Sequence, residues 1–215
     1  MTTELLYLLL GWLLGLLGPR VIDSIKDHYS RRALATAIRT EAIGLQYRVA
    51  ITSFLLAQEY GDMSKDYLTW LKPKLINYKS EVTPDPAIIL IDTLLTETEK
   101  TYNAMVAHMR AIKGKALGLK FFSSSLVDAS LESLKDFPSE YQSIIHEFRN
   151  ELNVLNQEIQ TAIEYHRMTF DSSLSKESYA IVSADLEKKY AVIQKMCIRV
   201  TDKLQAVMDF NVKNI

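Results

Sequence analysis

The sequence predicts an all-α protein: a short N-terminal transmembrane helix followed by a cytoplasmic bundle of long helices. Three observations predict it. The chain has 215 residues with seven Gly and five Pro, so few turn signals interrupt it. Apolar residues recur at three- and four-residue steps over long stretches, the period of one helix face, and no strand pattern competes with them. The first twenty residues, MTTELLYLLLGWLLGLLGPR, hold nine leucines and no charge between Glu4 and Arg20. Hydrophobic residues make up 48% and charged residues 24%, which marks a folded chain and excludes a disordered one. A net charge of −1 gives no whole-protein attraction to nucleic acid. The single Cys197 excludes an internal disulfide and a cysteine zinc cage, and fits a reducing compartment.

Residues 1–22 form the expected membrane segment. A secretory signal needs a basic n-region and a small-residue cleavage site. Here the charge before the run is Glu4, and Gly-Pro-Arg follows it. The charge-free window, residues 5–19, spans about 22 Å as a helix against a hydrocarbon core of about 30 Å. Runs this short also occur as buried core helices. The membrane is favoured because the run is apolar on every face, Thr2 and Thr3 extend it cheaply, and Arg20 can snorkel, leaving Val21 and Ile22 at membrane depth.

Orientation and assembly follow from the same segment. Across residues 19–48, Arg20, Lys26, Arg31, Arg32, Arg39 and Arg48 outnumber Asp23, Asp27 and Glu41, while the other flank carries Glu4. The positive-inside rule then makes this a single-pass inner (plasma) membrane protein with residues 23–215 in the cytoplasm. Gly11, Gly15 and Gly18 are candidate packing residues of a homo-oligomer, since small residues at this spacing let helix backbones approach closely in lipid. Trp12 and Leu13 are the candidate pore lining or gate. Arg20, Lys26, Arg31 and Arg32 would stack as cation rings at the inner mouth of an assembly, an arrangement that favours anions. On a lone helix they are simply the topology signal.

Pro19 predicts a kink, after which a long helix covers residues 23–60. Val21, Ile22, Ile25, Tyr29, Leu34, Ile38, Ala42, Leu45, Val49 and Phe54 form its apolar stripe. Gly61 and Asp62 end it. A shorter helix follows over 64–79, with Ser64 as N-cap and Pro73 as an interruption. Thr83-Pro84-Asp85-Pro86 stops and restarts the chain; Asp85 caps and Pro86 opens a helix running from 86 to 112. Residues 113–125, KGKALGLKFFSSS, read as a loop. A short helix starts near Ser125 and ends near Phe137-Pro138. Two long helices, 139–170 and 176–209, close the chain. The link DSSLS makes them antiparallel neighbours.

No catalytic signature emerges. His28, His108, His146 and His166 are scattered, and Glu164-x-His166 points to different helix faces. There is no P-loop, G-x-G-x-x-G or G-x-S-x-G, and no Arg-His spacing of a HEPN-type ribonuclease. No catalytic residue, metal site or cofactor is therefore expected. One cluster carries binding chemistry: Arg110, Lys113, Lys115 and Lys120 lie beside Phe121, with His108 and Phe122 adjoining. Cations with aromatics can grip phosphates and stack bases. The plainer alternative is a solvated basic turn whose two phenylalanines return to the core, and a lipid headgroup contact is a third.

The strings LLGWLLGLLGPRVIDSIK and EYHRMTFDSSLS, each leading into a long helix, resemble a group of bacterial proteins. The layout is similar to small membrane effectors of anti-phage defence. Among these are the Hailong membrane effector, a channel kept shut by a nucleotide-derived oligomer, and the accessory pore protein of type VI CRISPR systems. The likeness is one of architecture over the whole chain, with no residue-specific motif, so no family site is carried over. It implies a homo-oligomeric gated pore controlled through the cytoplasmic domain. Its partners would be further copies of itself, the lipid bilayer, and a nucleotide or oligonucleotide signal or a defence-system partner protein. The alternative is a membrane-anchored, non-enzymatic adaptor that binds a protein. A tethered enzyme has the weakest support.

Overall fold

A computed structural model describes residues 2–78, 85–111 and 118–211; for residues 2–22 it describes the backbone alone. The all-α expectation holds: no strand occurs among the described residues. Seven α-helices are described: α1 (Thr2–Glu59), α2 (Lys65–Ile76), α3 (Pro86–Thr96), α4 (Glu99–Ala111), α5 (Ser125–Ala129), α6 (Ser139–Met168) and α7 (Lys176–Asp209). A 3-10 segment, Leu131–Asp136, joins α5 to α6.

α1 is helical without a break across Pro19, so the leader and the expected 23–60 helix are one element of 58 residues. At about 1.5 Å per residue it is roughly 87 Å long. Among the described residues no helix is long and apolar enough to cross a membrane, and the side chains of the leucine-rich leader lie outside that description.

α7 is the centre of the bundle, packed on α1 along one side and on α6 along the other. Both packings are antiparallel. Gln46 of α1 donates to the Thr201 carbonyl at 3.1 Å while Tyr60 packs on Tyr190, so α1 ascends as α7 descends. Glu147, Glu151 and Glu158 of α6 pair in reverse order with Lys203, Arg199 and Lys189 of α7. The apolar repeats explain why: Ile145, Phe148, Leu152, Leu155 and Ile159 face Tyr190, Ile193, Cys197, Val200 and Leu204 in one core.

α1 also divides the interior. Leu45, Val49 and Leu56 enter the core shared with α6 and α7, whereas Ala50, Phe54 and Ala57 enter a second core with α2, α3 and α4. Leu68, Leu71, Leu75, Ile91 and Leu94 close that second core, each fully buried. Over residues 34–57 the hydrophobic surface is therefore wider than a single-faced helix needs.

Several boundaries differ from the expected ones. The 86–112 helix is two helices. Glu97 turns extended (ψ 153°), and Thr98 restarts the chain as its carbonyl accepts from Tyr102 N at 2.8 Å. The Thr98 hydroxyl lies 3.0 Å from that of Thr101. Lys65 ties the break down by donating to the Glu97 carbonyl at 2.8 Å. The 64–79 helix ends at Ile76 despite carrying Pro73 inside it, and the helix after 125 changes to 3-10 geometry at Leu131. The expected caps are present: Ser64 accepts from Tyr67 N, and Asp85 accepts from Ala87 N with Pro86 in the first turn. Of the expected stripes, Ile25, Tyr29 and Ile181 are exposed.

Candidate functional site

The expected anionic-ligand cluster does not form as one surface. Lys113 and Lys115 lie outside the described residues. Arg110, near the end of α4, donates to the Gly61 carbonyl at 2.7 Å, holding the turn between α1 and α2. It lines a polar cavity of about 390 Å³ with Asp62, Lys65, Asp66, Glu99 and Tyr102. Three carboxylates there oppose two cations, which suits no simple anion. Lys120 and Phe121 line a different cavity, also about 390 Å³, on the outer face of α1.

That second cavity is built from two walls. The first is the α1 surface, with Tyr47, Arg48, Ile51, Thr52 and Leu55 at one- and two-turn spacing. The second is the non-helical stretch 118–122. Asn156 of α6 fixes this stretch with a paired amide contact: it accepts from Phe122 N at 3.0 Å and donates to the Phe122 carbonyl at 2.8 Å. Phe122 is thereby turned into the core, and Phe121 is left 55% exposed at the cavity wall. Next along the chain, Glu41 of α1 receives four donors. The hydroxyls of Ser124 and Ser125 donate to it at 2.9 and 3.2 Å, and Leu126 N and Val127 N at 3.1 and 3.4 Å. The expected loop is therefore tied down from Phe122 onward. Ser124 and Ser125 of the SSS triplet dock a carboxylate whose identity the sequence does not reveal.

At the edge of the cavity Tyr47 donates to Asp85 Oδ2 at 2.6 Å and stacks on Tyr78. Burial first, then the Asp85 carboxylate, pushes the Tyr47 hydroxyl up to about 12. It stays neutral and is a positioning group for α1 and α3 with no acid–base role near neutrality. Cys197 is fully buried and burial pushes its thiol well up, so it is an inert core residue. No group of three or more His, Cys, Asp or Glu with metal-holding geometry occurs among the described residues.

The remaining expected residues lie along the first half of α1. Gly11, Gly15 and Gly18 share one helix face by register, since the backbone there is helical. The Trp12, Leu13 and Arg20 side chains lie outside the described residues. Lys26 is exposed. Arg31 is turned onto its own bundle, where its guanidinium donates to the Asp136 carbonyl at 3.0 Å. The Nε of Arg32 is buried and meets no acceptor among the described residues. The three described ring cations thus have different surroundings, and Arg31 is already engaged.

No protein-family model, curated protein or solved structure matches this chain.

Proposed function

We infer that the chain is a homo-oligomeric membrane effector: a gated, anion-leaning pore, acting in anti-phage defence and controlled through its cytoplasmic helical domain. The observation that carries this reading is the projection of α1. The bundle engages α1 from Arg31 onward, and nearly every residue from 23 to 30 is exposed, with Ile25 at 52% and Tyr29 at 68%. The helix nevertheless continues back to Thr2. A single helix without packing partners is marginal in water, and a leucine-dense one with three glycines is costly to leave uncovered. Lipid together with further copies of the chain supplies the cover, and the Gly11/Gly15 face suits close packing. A Leu- and Trp-lined lumen would be dry when shut and open by widening, which fits a gate better than a constant leak. The trigger would be a nucleotide or oligonucleotide signal, or a defence-system partner protein, acting on the helical domain.

The test is dye or ion leakage from cells expressing the unrestrained protein. Leakage is expected, and Gly11→Leu or Gly15→Leu should abolish it while membrane attachment persists. Leakage retained in both variants would remove this packing face. A chain that stays monomeric in detergent-free buffer would overturn the membrane reading altogether. The adaptor alternative draws on one separate observation. At the α6–α7 turn Met168, Phe170, Tyr179 and Ile181 are all exposed, at the pole opposite the leader. Membrane residence without conductance after reconstitution would favour it.

A further inference from the structure

We propose that the cavity between α1 and residues 118–122 is a binding site for a small amphipathic anion: a flat, mostly apolar body of aromatic size carrying one carboxylate or phosphate group. The cavity is about 390 Å³, within the range of small-molecule sites. Its floor and walls are apolar: Ile51 and Leu55 from α1, Leu119 and Phe121 from the facing stretch, and buried Leu56 and Phe122 behind them. Leu55 is 42% and Phe121 55% exposed, so two large apolar side chains on opposite walls are open to a ligand.

The charge of the rim chooses the ligand. Among the described residues Arg48 and Lys120 both line the cavity, no acidic side chain does, the nearby Asp85 carboxylate is held by Tyr47, and neither cation is in an ion pair. Cationic partners of this kind, held beside apolar surface, recognise an anion whose remainder is hydrophobic. The facing wall is anchored at its C-terminal end before any ligand arrives, because Asn156 holds Phe122 and Glu41 holds residues 124–127 through six hydrogen bonds in all. A preorganised wall lowers the ordering cost of binding. The ligand would be a soluble molecule and not a bilayer lipid. Arg48 lies 26 residues beyond residue 22 on one continuous helix, or about 39 Å, farther than a leader seated in a membrane would let a phospholipid reach. The proposal does not depend on that seating: the cavity and its two cations exist wherever the leader lies. It retains Lys120 and Phe121 from the basic loop, adds Arg48, and leaves out Arg110, which sits in the other cavity.

The probes are biphenyl-4-carboxylate and the neutral biphenyl-4-methanol. Each is equilibrated by dialysis against the full chain in a non-ionic detergent, with empty micelles as the baseline. Saturable one-site uptake of the carboxylate is expected, at least tenfold tighter than the alcohol. Arg48→Gln combined with Lys120→Gln should erase that preference. Thr52→Trp, which fills the cavity, should weaken uptake tenfold or more. Phe121→Ser removes an exposed wall residue without entering the core, and should do the same if Thr52→Trp misfolds. Absence of saturable uptake would overturn the proposal, as would uptake unchanged by Thr52→Trp and Phe121→Ser, or an alcohol bound as tightly as the carboxylate. Binding of an acidic amphipathic peptide without binding of the small carboxylate would also overturn it, and would assign the surface to a protein partner.

Discussion

Two glycines in α1 and its exit show how differently one residue type is constrained. At Gly61 an added Cβ would lie 2.1 Å from Gln194 Oε1 and 3.2 Å from Ala57 Cα. Gln194 cannot yield freely. It is buried, accepts from Asp62 N at 2.8 Å and donates to the Asp62 carbonyl at 2.8 Å, so its amide clamps the turn that ends α1. Gly61→Ala should cost about 2–3 kcal/mol, because moving Gln194 strands buried polar groups. At Gly44, within the helix, the nearest atom to an added Cβ is Tyr78 Cε2 at 3.9 Å. Gly44→Ala should therefore stabilise by about 0.5–1 kcal/mol through helix propensity. Urea denaturation of the two variants side by side checks both signs. Gly61 as a helix stop was legible in the sequence; Gln194, some 130 residues later, reads there as just another polar residue of a long helix.

Among the elements, the short α5 depends on a carboxylate from elsewhere. It has five residues, too few to hold itself, and its own N-cap Ser124 makes no side-chain capping bond. Glu41 supplies the missing acceptor to two backbone N–H groups and two serines. Glu41→Gln keeps the shape but turns one acceptor into a donor. Global stability should fall by about 1–2 kcal/mol, and limited proteolysis at residues 118–125 should accelerate; unchanged cleavage there would show the stretch is held by other contacts. The split of the expected 86–112 helix belongs to the same scale. Thr96-Glu97-Thr98 carries a cap signal, yet the apolar periodicity runs through it, and the break is settled by Lys65 reaching over from α2. By contrast, Ser64, Asp85 and Pro86 marked their helix starts correctly because a cap is a local interaction.

For the molecule as a whole, buried tyrosines set the alkaline limit. Tyr141 is 1% exposed, and burial pushes its hydroxyl up to about 12. Tyr60, packed on Tyr190, is also pushed up to about 12, by burial and then by the Glu59 carboxylate. An unfolded tyrosine ionises near pH 10, so between about pH 10 and 12 the unfolded chain has shed protons that the folded chain keeps. Stability from these groups is complete below pH 10 and is lost as pH rises toward 12. For a fully buried tyrosine the loss is about 1.4 kcal/mol per pH unit. Urea midpoints at pH 9 and 11 should show the drop, and Tyr141→Phe should make it smaller. A variant with the same drop as the parent would place the alkaline sensitivity elsewhere. The apolar repeats announced a bundle, but not that α1 would separate two cores, since periodicity says how much of a helix is buried and not against what.

What the sequence determined alone is local or one-dimensional: helix as the sole regular element among the described residues, the Ser64 and Asp85 caps, the antiparallel α6–α7 pair, and a leucine-dense leader ahead of a basic flank. These follow from spacing, turn chemistry and the handedness of the backbone, which act within a few residues. Tertiary structure decided which cations share a surface. Arg110 and Lys120, ten residues apart, line separate cavities, while Arg48 and Lys120, seventy-two apart, line the same one. That pairing arises because Asn156 and Glu41, on two different helices, fold the intervening stretch back over α1, and no interval along the chain encodes where a distant side chain will close.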